Sequence, residues 1–142
     1  MTNEIMIEEL NTLLRGQFMG IHTFEHYIQK LDNDPLKQDF QHMQHDLKHN
    51  AQKIAERIQN LGGTPTENEG ISGSVHSAMH NLMTPGDPTG MIDEALKGTE
   101  KYAIHYSEEL VKGDLDPESK RIVKEVIDNS RRHAEQLKHL RQ

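Results

Sequence analysis

The feature that most constrains the fold of this chain is a set of four long segments in which apolar residues recur at three- and four-residue steps. Such steps place the apolar side chains along one face of an α-helix. The expected helices cover about residues 5–31, 35–61, 89–112 and 117–141. Each would be roughly 37 Å long at about 1.5 Å per residue. Helices that are apolar on one face bury it against one another, so the sequence predicts a helical bundle.

Two of the three connections between these helices are short and carry an Asp-Pro pair. Asp34-Pro35 precedes the second helix and Asp116-Pro117 precedes the fourth. An aspartate can accept hydrogen bonds from the free N–H groups of the first turn, and proline suits a position that needs no donor. Helices joined by so short a connection lie side by side and antiparallel.

The middle connection, about residues 62–88, is long and rich in glycine and proline. Gly62-Gly63 ends the second helix, because glycine accepts the left-handed conformation common there. Residues 74–83 read as a short helix inside the connection. So long a connection in a compact domain favours a crossover from one end of the bundle to the other.

These elements predict an all-α fold, a single domain over residues 1–142 that forms an antiparallel four-helix bundle with one long crossover. One crossover and two tight hairpins are typical of the ferritin-like topology rather than the simple up-down-up-down one.

Composition excludes several classes of function. The formal net charge of −7 disfavours nucleic-acid binding. The chain has no cysteine, so disulfides, thiolate metal sites and cysteine nucleophiles are excluded. It has no apolar run of the roughly 20 residues that span a bilayer, and no signal peptide at its start, so we expect no membrane association and a cytoplasmic location.

Several polar residues fall on the apolar stripes, where they would face the interior. If the middle connection crosses over, the residues that lie about eight to twelve positions from the same end of the bundle, and so differ in height by only about 5 Å, are Glu25, Asp46, Thr99, Glu100 and His133. One interpretation is a hydrogen-bonded polar seam that fixes helix pairing without a metal. The seam residues would be Gln17, Asn50, Thr99, Ser130 and His133.

The same layer resembles the metal site of ferritin-like di-iron bundles, in which two helices each give a Glu and the other two each give a Glu-x-x-His pair. Glu25 would match the first Glu and Glu100 the second, although Thr99 is better aimed. Asp46-Leu47-Lys48-His49 resembles one pair with a shorter acid, and Ser130-Arg131-Arg132-His133 keeps only the histidine of the other. The candidate metal ligands are therefore Glu25, Asp46, His49, Glu100 and His133.

A ligand set of carboxylates and imidazoles accepts iron, manganese or zinc, and the sequence does not choose among them. The Ser at position 130 removes one ligand of the pattern, and Asp46 and His49 project toward the edge of their helix. Glu25 and His133 are the best aimed of the set, so we expect both at any metal that binds.

A wider resemblance covers nearly the whole chain. The chain resembles bacterial ferritin-like bundle proteins of unknown function in three features. These are the Asp-Pro pair at the start of a helix, the Leu-Gly-Gly-Thr-Pro run at 61–65 and the short helix of the connection. This resemblance implies the fold and assigns no activity.

The connector holds a second, weaker metal pattern. His76 and His80 are four residues apart, a spacing at which two imidazoles on one helical face can chelate a metal. The alternative is a solvated polar face. HExxH, glycine-rich phosphate loops and the G-x-S-x-G elbow do not occur, so we expect no catalytic and no organic cofactor-binding residues.

Two functions follow as hypotheses. The first is a ferritin-like metal-binding or metal-handling protein, linked to stress, with an incomplete di-metal site. The second is a non-catalytic helical interaction module, a homodimer in which that site is vestigial. A mini-ferritin cage is a third possibility that the short connector helix suggests.

Overall fold

The computed structural model describes residues 3–32, 34–68 and 86–141. These form four long helices: α1 (Asn3–Lys30), α2 (Asp34–Asn60), α3 and α4 (Pro117–Arg141). The third, α3, has an α-helical start (Pro88–Gly98), a π-helical stretch (Thr99–His105) and an α-helical end (Tyr106–Lys112). The described residues contain no β-strand, which confirms the predicted all-α class.

The bounds expected from the sequence lie within one turn of those observed. The expected connector helix at 74–83, and His76 and His80 with it, lies outside the described residues. Within the ranges that are described, no helix has both the length and the apolar character needed to cross a lipid bilayer.

Contacts at the two ends of the bundle give the direction of each helix. Tyr27, near the end of α1, donates a hydrogen bond to Glu94, near the start of α3. At the opposite end, Arg57 of α2 donates to Asp116, just before α4. The start of α3 therefore lies beside the end of α1, and α2 and α3 run in the same direction. This arrangement is the single crossover of a ferritin-like bundle.

The core follows the apolar stripes of the sequence. Leu10 of α1, Phe40 and Ile54 of α2, and Val126 of α4 all lie on predicted stripes and have no exposed surface. Near the end where α1 turns into α2, the ring centroids of Phe24 and Phe40 are 5.3 Å apart in an edge-to-face arrangement. Aromatic pairs favour this geometry, so it helps to fix the α1–α2 hairpin.

The end of α2 takes the form that its two glycines predict. Gly62 has φ of +88°, the left-handed conformation. The Gly62 N–H donates to the Gln59 carbonyl over 3.0 Å, and the Gly63 N–H donates to the Ile58 carbonyl over 2.9 Å. These two bonds satisfy the last carbonyls of α2 in a Schellman motif.

The start of α4 is also capped as predicted. The Asp116 carboxylate accepts a hydrogen bond from the Ser119 N–H over 3.2 Å. Arg57 donates to the same carboxylate and, over 3.0 Å, to the Ser119 hydroxyl. The cap of α4 is thereby tied to the last turns of α2.

Candidate functional site

The structure brings together two of the five predicted ligands, Asp46 and His133. Nε2 of His133 on α4 lies 2.9 Å from Oδ2 of Asp46 on α2. His133 is buried, with 5% of its surface exposed. Asp46 is half-buried, because 45% of its side chain still faces solvent.

Two asparagines extend this contact along the α2–α4 interface. The Asn129 amide donates to Oδ2 of Asp46 over 3.2 Å, and the buried Asn50 amide donates to Oδ1 of Asn129 over 2.9 Å. We call Asp46, Asn50, Asn129 and His133 the α2–α4 network. Its members alternate between the two helices, so the network joins them through side chains alone.

The charge state of Asp46 suits its role as the acceptor of the hydrogen bonds from His133 and Asn129. Partial burial by itself raises the pKa of the Asp46 carboxyl, but the hydrogen bonds from His133 and Asn129, together with the charge interactions with His133 and His45, outweigh it, so the pKa lies below its usual value of 3.8. The carboxylate is therefore ionised at neutral pH and acts only as an acceptor. Nε2 of His133 must then carry the proton that it shares with Asp46, and a protonated nitrogen has no lone pair for a metal.

Glu25 lies elsewhere, at the α1–α2 interface. Its carboxylate accepts from the Gln29 amide over 2.7 Å and from the Gln44 amide over 3.0 Å. The Gln44 amide also donates to the Ile21 carbonyl over 3.1 Å, which holds it in place. The hydrogen bonds from Gln29 and then Gln44 lower the pKa of Glu25 below its usual value of 4.5. Glu25 is thus ionised and already supplied with two donors.

The remaining predicted ligands are exposed. His49 lies on the solvent side of α2, and Glu100 lies on the outside of α3, with its carboxylate 3.9 Å from Nζ of Lys138. Thr99 is half-buried, as its better aim predicted. The expected direction of each α3 side chain depends on a turn of about 100° per residue. This periodicity does not hold through Thr99–His105, which is π-helical.

The described ranges contain no group of three or more His, Asp or Glu side chains placed to hold a metal ion. The donor set therefore does not fit a di-metal centre, since Glu25 and Glu100 are apart from the Asp46–His133 pair and each has its own partner. What the geometry supports at this level of the bundle is a hydrogen-bonded network between α2 and α4.

The alternative interpretation, a polar seam, describes part of what is observed. Asn50 and His133 have partners in the network. Oε1 of Gln17 and Oγ of Ser130 are buried and have no hydrogen-bond partner among the described residues. The polar atoms of the seam are therefore hydrogen-bonded where α2 meets α4, whereas those on the side of α1 and α3 lack partners among the described residues.

Asn129 and Gln44 were not among the predicted site residues. A signal for Asn129 was present in the spacing: Asp46 and Asn50 on α2, and Asn129 and His133 on α4, are each four residues apart and so share a helical face. Two such polar pairs on facing helices point to a side-chain network. Gln44 is four residues after Phe40 and three before Leu47, so the same spacing places it on the buried face of α2.

A polar surface pocket of about 360 Å³ opens beside the network. It is lined by Asp46, His49, Asn50, Lys53, Glu125, Asp128, Asn129 and Arg132. Lys53 and Glu125 form a salt bridge of 3.1 Å across it. Both signs of charge are present, so the pocket has no strong preference for anions or cations.

Comparison with known protein families gives one match. The family described as a domain of unknown function (DUF2383) matches residues 5–113, which include nearly all of α1 and the whole of α2 and α3. No curated protein matches the chain.

Two solved structures are similar to this chain over nearly all its length. One is a two-domain protein from Anabaena variabilis with DJ-1/ThiJ/PfpI-like and ferritin-like domains, at a TM-score of 0.83 and 22% identity. The alignment covers 99% of this chain and 40% of that one, so this chain spans less than half of the two-domain protein.

The other is the bacterioferritin-related protein of Bacteroides fragilis, described as a dodecameric thioferritin, at a TM-score of 0.80 and 16% identity. This alignment covers 98% of this chain and 85% of that one. At these identities the likeness shows the fold, and it confirms the ferritin-like bundle predicted from the sequence.

Proposed function

The chain belongs to the family described as a domain of unknown function (DUF2383), and we propose that it is a non-catalytic ferritin-like helical module in which the di-metal site is vestigial. The observation that carries this proposal is the contact of His133 with Asp46, with Asn129 as a second donor to the same carboxylate oxygen. In this module the polar layer joins helices.

The hydrogen bonds that Asp46 and Glu25 accept argue against a metal centre in the polar layer. An ion at these carboxylates would compete with the donors from His133 and Asn129 at Asp46, and with the donors from Gln29 and Gln44 at Glu25. A hydrogen bond to a charged group contributes about 1.5–3 kcal/mol. An ion that recruited both carboxylates would have to offset the loss of several such bonds.

We further propose that the module associates with copies of itself, as a homodimer. Likeness of fold supports self-association as such, because the bacterioferritin-related protein of Bacteroides fragilis is described as dodecameric. Light scattering on the eluting peak of a sizing column gives the mass of the particle directly. A mass of twice the chain supports the homodimer, a monomer mass contradicts it, and a mass of twelve chains supports a cage instead.

Calorimetric titration of the metal-free protein with Fe²⁺, Mn²⁺ and Zn²⁺ tests the vestigial site. The proposal predicts that the protein does not bind two ions per chain at micromolar concentrations of the ion. His133→Ala and Glu25→Ala serve as matched variants. Binding of two ions that both variants abolish would show a working di-metal centre and overturn the proposal.

A second candidate function is the handling of a single divalent ion at Asp46. It is favoured by the exposure of 45% of the Asp46 side chain to the surface pocket that His49 and Asp128 also line. Oxygen and imidazole donors of this kind accept iron, manganese and zinc. In the same titration, one ion per chain that Asp46→Asn and His49→Ala both weaken, and Glu25→Ala does not, would support this candidate and the metal-handling role with it.

A further inference from the structure

A cleft of about 630 Å³ lies between α1 and α3, on the side of the bundle opposite the α2–α4 network. Among the described residues, its two walls come from α1 and from all three parts of α3, and most of the lining is apolar. Leu47, Ser130 and His133 form its inner wall. Its volume is within the range of sites that hold small organic ligands.

Glycines from both helices line this space. Gly16 on α1 and Gly98 on α3 both line the cleft, and a Cβ atom added to either would have no neighbour within 4 Å. Glycine in a helix interior is destabilising relative to alanine. The chain therefore keeps open space at two positions where a methyl group would fit and would favour the helix.

The irregular part of α3 borders the same cleft. The π-helical stretch Thr99–His105 contains no buried residue, and Thr99 and Tyr102 from it line the cleft. The side chain of Tyr102 is 53% exposed there. π-Helical turns inside α-helices are rare and occur frequently at functional sites.

The inner wall carries two polar atoms that lack partners. Gln17 and Ser130 are 3% and 1% exposed, and neither Oε1 of Gln17 nor Oγ of Ser130 has a hydrogen-bond partner in the described structure. Buried polar atoms are almost always hydrogen-bonded, and an exception points to a partner such as a water, an ion or a ligand. Both residues line the cleft, so a ligand there with a hydroxyl group would supply the missing partner.

The lining also concentrates positive charge on a chain whose net charge is −7. Arg15, Lys97 and Lys101 all line the cleft, and Lys97 and Lys101 are exposed. Glu94 is the acidic residue of the lining, and it accepts the hydrogen bond of Tyr27. A local excess of cations attracts an anion to this part of the surface.

From these features we infer that the cleft binds an amphipathic organic anion: a molecule with an apolar body, a carboxylate at one end and a hydroxyl at the other. The carboxylate lies among Arg15, Lys97 and Lys101, and the hydroxyl reaches Gln17 and Ser130. The apolar body lies along the glycine-lined wall between them. A hydroxy fatty acid of about ten carbons has this chemistry and fits the volume of the cleft.

Calorimetric titration with 10-hydroxydecanoate tests the inference, with decanoate and the methyl ester of 10-hydroxydecanoic acid as matched probes. We expect 10-hydroxydecanoate to bind most tightly, because it alone satisfies both ends of the cleft. Loss of the hydroxyl or of the charge should each raise the Kd about tenfold. Absence of binding, or equal affinity for all three probes, would overturn the inference.

Variants locate the site without risk to folding. Gly16→Leu and Gly98→Leu should raise the Kd for 10-hydroxydecanoate at least about tenfold while the unfolding midpoint stays the same or rises, because leucine fills the space and favours the helix. Gly86→Leu is the control, since Gly86 also has open space around it and does not line the cleft. Unchanged binding in both cleft variants would contradict the assignment.

Further variants test the positive charge at the cleft and the nature of the molecule that fills it. Lys97→Glu should weaken binding of 10-hydroxydecanoate by about tenfold, and Lys124→Glu, on an exposed position of α4, should leave it unchanged. Equal effects of the two substitutions would contradict a bound anion at this rim. If Gly98→Leu lowers the mass of the particle in light scattering, the cleft is an interface between copies and the inference fails.

Discussion

His133 of α4 and Asp46 of α2 are joined by a contact of 2.9 Å between Nε2 and Oδ2. Asn129 donates to the same oxygen, and Asn50 supports Asn129. Two of the five predicted metal ligands, one carboxylate and one imidazole, are thereby each other's partners. This relationship determines how the protein should respond to acid, to substitution and to metal.

Stability should fall in acid partly through Asp46. The folded state lowers the pKa of Asp46, because the hydrogen bonds from His133 and Asn129, together with the charge interactions with His133 and His45, outweigh burial. The ionised carboxylate therefore stabilises the fold above its usual pKa of 3.8, and this contribution is lost as the pH falls through the lowered value. Asp46→Asn should flatten the loss of unfolding free energy below about pH 4.

Urea unfolding at several pH values between about 2 and 7 measures this effect. Glu8→Gln removes an exposed carboxylate far from the network and serves as the control. If Asp46→Asn and the wild type lose stability in parallel as the pH falls, Asp46 is not engaged in the folded state as described.

The two faces of α2 should differ sharply in their tolerance of substitution. Leu47 is 6% exposed and packs in the core, so Leu47→Ala should destabilise the protein by about 2–4 kcal/mol through lost burial and a cavity. Val126→Ala, at a fully buried position, should cost less because fewer atoms are removed. His45 is exposed, and His45→Ala should cost almost nothing. Equal losses at positions 45 and 47 would show that the assigned faces are wrong.

Gly62 should resist substitution because of its backbone conformation. Its φ of +88° is unfavourable for any residue with a Cβ, so Gly62→Ala should destabilise the protein by about 1 kcal/mol. Gly86→Ala is the matched control at a second loop glycine, where a Cβ has open space, and it should change stability by less than about 0.5 kcal/mol. Thermal and chemical unfolding of both variants would measure the difference, and a neutral Gly62→Ala would contradict the Schellman assignment.

Asp116 should contribute through both of its partners. It caps α4 through the Ser119 N–H and contacts Arg57 of α2, so Asp116→Ala should cost about 1–2 kcal/mol. Asp114→Ala, at an exposed position of the same loop, should stay within about 0.5 kcal/mol of the wild type. The double variant with Arg57→Ala should lose less than the sum of the two single losses, because the residues share a contact. Additive losses would show that the contact contributes nothing.

The fold was predictable because each of its determinants is local in the sequence. Apolar steps give the helices, and Gly62 and Asp116 have the conformation and the hydrogen bonds that their residue types favour. The site was less predictable because its contacts depend on how helices rotate about their axes. Asp46 was expected at an edge of α2 and does reach His133, whereas Glu100 lies in a π-helical stretch that the assumed periodicity does not describe.

The central claim, that the Asp46–His133 pair is structural and needs no metal, is tested most directly by a double-mutant cycle in a chelator. Unfolding free energies of the wild type, Asp46→Ala, His133→Ala and the double variant are measured in excess EDTA. We predict a coupling free energy of about 1 kcal/mol between the two positions under these conditions. A coupling of zero in EDTA that appears only after Fe²⁺, Mn²⁺ or Zn²⁺ is added would contradict the claim and restore the metal site.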